Sequence, residues 1–338
     1  MKGVRLLFPL VILLAVSCNF PMPAGRIPAT ATDGTAGGTS AGSASTPIRT
    51  AIVPRPTADW TGGTYRVETE DLLVNYPDFI DPDAARKHAD ALQKAYEAYL
   101  GIFDFGDGWP YGGEKLSLIW NPKASSSTVG ANSMIMGSGA LRILAEEDLN
   151  PPDEIFFHEM LHVFEEAEVK AGRYYIFNLI IGINEAFAEY LECHPSVYLL
   201  WDRGSSTKAY CDLLLYDIGD KSTAMTLAYY ETEKIDPYGL DWGLHPAGGS
   251  GEVYFRQMLA RISDMAGWDL WENYFSMTKD SDGSPIAKAV YLNEPLMKSG
   301  PDFRAPEVKK AFSEFVSDLS KAAGRDFGPV FRGWRFEL

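Results

Sequence analysis

Ile155-Phe156-Phe157-His158-Glu159-Met160-Leu161-His162-Val163-Phe164 is apolar in most directions around a helix axis, yet it carries two histidines and a glutamate. A helix that is apolar nearly all round is buried, so these ionisable side chains are expected inside the protein. Burying such a group without a partner is costly, or forces it to give up its charge. A metal ion resolves the problem for all three. Positions i and i+4 lie on one helix face, about one turn apart. The imidazoles of His158 and His162 can therefore reach one ion, and Glu159 between them is placed to take a proton from water beside it.

A catalytic zinc needs a third protein ligand and an open position. Glu166 continues the i, i+4 series from His162, but it stands about 12 Å along the axis from His158, too far for one ion. The third ligand must come from another element. Glu185, in Asn184-Glu185-Ala186-Phe187-Ala188-Glu189, is the best placed. Glu189, one turn further on, is expected to hold an imidazole N–H behind the metal.

Outward from this centre, Tyr65 to Tyr76 alternates as a strand or hairpin, and Lys115–Trp120 and Thr128–Met136 each read as a strand. Asp81-Pro82 opens a helix with Ala89, Leu92, Tyr96 and Tyr99 on its buried face and Gly101 as its stop. Asn150-Pro151-Pro152 is the expected start of the His158 helix, and Asn184 the expected cap of the next, after a break at Gly182. Helical patterns follow at Gly251–Ala266, Asp269–Met277 and Ala305–Ala323. Strands first and helices after is the order of an α+β domain.

Residues 19–58 are Ala, Thr, Gly, Ser and Pro with few large apolar side chains. They cannot bury enough surface to offset the entropy of ordering, and read as a tether. Before them, Lys2 and Arg5 precede an apolar run from Leu6 to Val16, eleven residues and too short to span a bilayer comfortably. This is the pattern of a secretory signal. Ala15-Val16-Ser17-Cys18 resembles the lipobox of bacterial lipoproteins, which implies a lipid on Cys18 and a membrane anchor; plain cleavage nearby is the alternative. The organisation is then signal at 1–17, linker at 18–58 and one folded domain at 59–338. Of the three cysteines, Cys193 and Cys211 remain, either as a disulfide or as two buried thiols. The formal charge of −16 argues against nucleic acid as a partner, since that needs a basic footprint.

His158-Glu159-Met160-Leu161-His162 followed by Asn184-Glu185-Ala186-Phe187-Ala188-Glu189-Tyr190 resembles the gluzincin metallopeptidases, in which HExxH precedes an Asn-Glu-(small) helix. The C-terminal Gly324-Arg325-Asp326-Phe327 and Phe331-Arg332-Gly333-Trp334 are similar to the closing segment of these enzymes. The likeness runs from about Thr128 to the C-terminus, with specific motifs only at the two helices. It implies a zincin-like fold, Zn2+ on His158, His162 and Glu185, Glu159 as general base, and a peptide or protein substrate. Three departures stand out. Twenty-two residues separate His162 from Glu185, more than in the aminopeptidase branch. Val129-Gly130-Ala131-Asn132-Ser133-Met134 lacks the glutamate of that branch's exopeptidase strand. The tyrosine of Gly251-Glu252-Val253-Tyr254 is displaced from the family's Tyr-x-x-Gly, so Tyr254 or His245 is the candidate for stabilising an oxyanion. Two rival functions stay open: a non-catalytic surface lipoprotein retaining the fold, and a zinc hydrolase of a non-peptide cell-wall amide.

Overall fold

The computed structural model describes residues 63–106, 109–124, 127–130, 132–146, 152–200, 211, 215, 233–242, 250–301 and 303–338. The signal segment, Cys18, the tether at 18–58 and His245 lie outside them. The architecture is mixed α+β, a small sheet followed by helices.

β1 (Thr64–Glu68) and β2 (Leu72–Pro77) form an antiparallel hairpin. Asp81 then caps α1 (Pro82–Ile102), its carboxylate accepting from the Asp83 and Ala84 N–H groups at 3.0 Å. Gly101 does not stop this helix: it lies in the last turn, and the chain leaves through Asp104 and Gly106, both left-handed at φ 50° and 51°. Parallel strands need a crossover, and α1 supplies it between β2 and β3 (Leu116–Trp120).

The stretch 128–136 is two strands rather than one. The chain doubles back at Asn132, φ 54°, so that β4 (Thr128–Gly130) runs antiparallel to β5 (Ser133–Met136). Asparagine tolerates that left-handed conformation, and its amide donates to the Glu114 and Lys115 carbonyls at 2.9 and 3.2 Å. The sheet order is β1-β2-β3-β5-β4, with β4 at an edge. Its inner face presents Leu72, Val74, Tyr76, Leu116, Leu118, Trp120, Met134 and Met136, all buried. Each such side chain contributes about 1.5–3 kcal/mol by leaving water.

After α2 (Ser138–Glu146) comes α3 (Glu154–Lys170), which carries the His158 motif and packs against α1, β4 and β5. Its cap is Asp153, accepting from the Ile155 N–H, just after the expected start at Asn150-Pro151-Pro152, of which 150 and 151 lie outside the described residues. α4 (Ile181–Glu192) lies between α3 and a later helix, α6 (Ser250–Ala266), with the short α5 (Pro195–Tyr198) after it. α7 (Leu270–Thr278), α8 (Pro285–Tyr291), α9 (Glu294–Lys298), α10 (Pro306–Ala322) and α11 (Gly328–Gly333) complete the described helices.

Gly182 does not break the chain but sits in the first turn of α4, where its N–H donates to the Trp242 carbonyl at 3.0 Å. A Cβ there would stand 2.7 Å from that same oxygen, so only glycine lets α4 start this close to Trp242. At the other end, Cys193 caps α4 and forms a disulfide with Cys211, Cα–Cα 5.7 Å.

One core residue makes the fold sensitive to acid. His88 on α1 is fully buried, its Nδ1 2.7 Å from the Tyr76 hydroxyl and its ring edge-on to Phe156. Burial pushes its pKa from 6.5 down to about 3. The unfolded chain therefore takes up a proton as pH falls through 6.5 while the folded chain resists until about 3, and stability declines across that window. Between about pH 7 and about pH 5 the loss from this group should be about 2 kcal/mol. Denaturant midpoints of wild type and His88→Phe at those two pH values check it. The variant should lose less stability by that amount, and equal losses would dismiss the role of His88.

Candidate metal centre

α3 and α4 bring the predicted ligands together. The His158 and His162 Nε2 atoms are 3.1 Å apart, with the rings nearly perpendicular. From α4, one Glu185 oxygen lies 3.3 Å from His158 Nε2 and the other 3.6 Å from His162 Nε2. All three side chains are buried, and the group could hold a metal ion. Glu166 is outside the group, as the helix geometry requires. Glu159, between the two histidines, is 1% exposed.

The imidazoles hold Glu185 in its charged form. Burial raises the pKa of a carboxyl such as that of Glu185, but the His162 and His158 imidazoles, by charge and hydrogen bonding, outweigh it and hold Glu185 well below the usual carboxylate range. Glu185 is thus ionised beside two ring nitrogens. Behind the group, each imidazole has a carboxylate near Nδ1. Glu165 Oε2 lies 2.7 Å from His162 Nδ1, and Glu192 Oε2 lies 3.5 Å from His158 Nδ1. Rings that donate through Nδ1 leave Nε2 lone pairs for a metal.

This arrangement corrects the role expected for Glu189. Glu189 is buried, but its ion pair is with Arg256 of α6, whose guanidinium is also 3.9 Å from Glu252. Burial lowers the Arg256 pKa to about 10, which leaves it charged at neutral pH. Helix geometry explains the exchange. Four residues rotate about 40° past a full turn, whereas seven fall about 20° short of two turns. Glu192 therefore follows the line of Glu185 toward α3, and Glu189 turns toward α6. Neither Glu165 nor Glu192 was picked out from sequence. The available signal was their spacing, i+3 from His162 and i+7 from Glu185.

Asn184 is no cap either. It lies inside α4, and its side chain donates to Glu165 Oε2 at 2.6 Å. Tyr254 is buried at the C-terminal packing, its hydroxyl donating to the Trp334 carbonyl at 3.1 Å and its ring stacked on Phe336. Compared with protein-family models, curated proteins and solved structures, the chain matches none of them.

Proposed function

We propose that this protein is a zinc-dependent peptidase with a gluzincin-like site, exported and held at a membrane through Cys18. The observation that carries the metal is the spacing of its ligand atoms. Zinc bonds of about 2.0–2.1 Å at tetrahedral angles set ligand atoms roughly 3.4 Å apart; here the two Nε2 atoms are 3.1 Å apart, and the Glu185 carboxylate sets one oxygen 3.3 Å from His158 Nε2 and its other oxygen 3.6 Å from His162 Nε2. Two imidazoles and a carboxylate are also the donor set of catalytic rather than structural zinc, since they leave a position open.

When bound, zinc supplies Lewis acidity, which eases ionisation of water and polarises a carbonyl. The chain's own residues do the rest. Glu159 takes the proton of the attacking water and delivers it to the leaving amine. Its burial limits competition from solvent. β4, packed beside α3 at a sheet edge, offers backbone groups to an extended peptide. A structural or purely binding role would need no buried glutamate between the two histidines.

The test is digestion of an unstructured peptide library by the purified protein, before and after a strong chelator, with zinc added back. Cleavage that is lost and restored supports the reading. Zinc binding without cleavage would favour the binding lipoprotein or a non-peptide amide.

Export draws support from the Cys193–Cys211 disulfide, which an oxidising compartment would maintain. No helix among the described residues is long and apolar enough to cross a membrane. Cys18→Ser is expected to move the protein from the membrane fraction to the soluble fraction. Unchanged fractionation, or a mature N-terminus beyond Cys18, would reject the anchor.

A further inference from the structure

We propose that Glu165 is the positioning residue of the metal centre, a single carboxylate oxygen that sets both the His162 ring and the helix carrying Glu185. The inference rests on the metal reading above and names a residue that does not belong to the ligand group. Oε2 of Glu165 lies 2.7 Å from His162 Nδ1 and 2.6 Å from Asn184 Nδ2. The Asn184 amide N–H can only donate, so Oε2 is an acceptor there, and His162 presents Nδ1–H to the same oxygen. The first contact fixes the tautomer and rotation of the ring, leaving the Nε2 lone pair on the metal side. The second fixes the rotation of α4 one residue before Glu185. Each residue turns a helix by about 100°, so a slip of one position would carry Glu185 away from both imidazoles.

Glu165 is well placed for this double role. It stands one turn beyond His162 on α3 and is 2% exposed, so water competes little for its oxygens. Both hydrogen bonds fall on the same atom, which ties ring orientation to helix orientation. His158 has a looser arrangement, with Glu192 Oε2 at 3.5 Å. Positioning through Glu165 therefore bears most on the pairing of His162 with Glu185.

Zinc affinity measured by competition with a chromophoric chelator separates positioning from mere helix packing. Glu165→Ala removes both contacts and should weaken binding about 10–100-fold, the range found for partners that orient ligands. Glu165→Gln keeps the shape and an acceptor oxygen but loses the charge, and should fall between Ala and wild type. The visible absorption of the Co2+-loaded protein should shift in both variants, which a packing defect remote from the ligands would not produce. Thermal melts without metal establish that each variant is folded; if Glu165→Ala is not, Glu165→Gln decides. Zinc affinity within about twofold of wild type in the folded variants, well under the expected range, overturns the proposal and leaves the metal reading standing. Failure of wild type to bind either Zn2+ or Co2+ overturns both.

Discussion

Glu159→Gln is expected to leave the protein folded and zinc-loaded while cutting peptide hydrolysis by about 10²–10⁴-fold, the usual cost of losing a general base. That range corresponds to roughly 3–5 kcal/mol of transition-state stabilisation. The side chain is 1% exposed and glutamine is nearly isosteric with glutamate, so α3 can keep its packing. Glu159 is not in the ligand group, so metal content should hold. What the variant loses is a group able to accept a proton. Rates on a peptide library, paired with metal analysis of the same samples, give the result. Cleavage at the wild-type rate would remove Glu159 from the mechanism. A drop accompanied by loss of zinc would instead make it a residue of the metal centre.

The ligand group was legible in the sequence because its parts are set by local geometry. His158 and His162 share a helix face by spacing alone, and the apolar residues around them announce burial. Glu166 is excluded by distance along the axis, and Glu185 is singled out by the resemblance of Asn184-Glu185-Ala186 to the gluzincin helix; its oxygens lie 3.3 and 3.6 Å from the two imidazoles. The N-cap of α1 and the strand-then-helix order were equally local. What escaped was set by tertiary contact. A carboxylate on a helix looks the same in sequence whether it faces water, a histidine or an arginine. Glu189 and Glu192 were distinguishable only once α3 and α6 were both packed against α4. Asn184 looks like a cap because asparagine favours caps, yet its partner Glu165 is nineteen residues earlier on another helix. The hairpin between β4 and β5 was hidden for a different reason. Its turn is short, and the left-handed backbone that reverses the chain falls on Asn132 rather than on a glycine.

Glu185→Gln should weaken zinc binding by more than about 100-fold, because loss of a ligand must exceed the 10–100-fold seen when its supporting partners are removed. The amide keeps the shape of the carboxylate but not the charge that two imidazoles stabilise against burial. Glu166→Gln is the matched control. It removes an acid from the same helix face as His162 at a partly buried position, outside the ligand group, and should leave affinity unchanged. Thermal unfolding reads the same difference without an activity assay. At about 100 times its Kd, a ligand that binds only the folded state stabilises it by about 2.7 kcal/mol. At that zinc concentration a variant with a 100-fold weaker Kd gains only about 0.4 kcal/mol. Wild type and Glu166→Gln should therefore melt at clearly higher temperature with zinc than without, and Glu185→Gln at nearly the same temperature in both. Equal zinc content and equal zinc-induced shifts in all three proteins would take Glu185 out of the ligand set, and with it the reason for α3 and α4 to meet as they do.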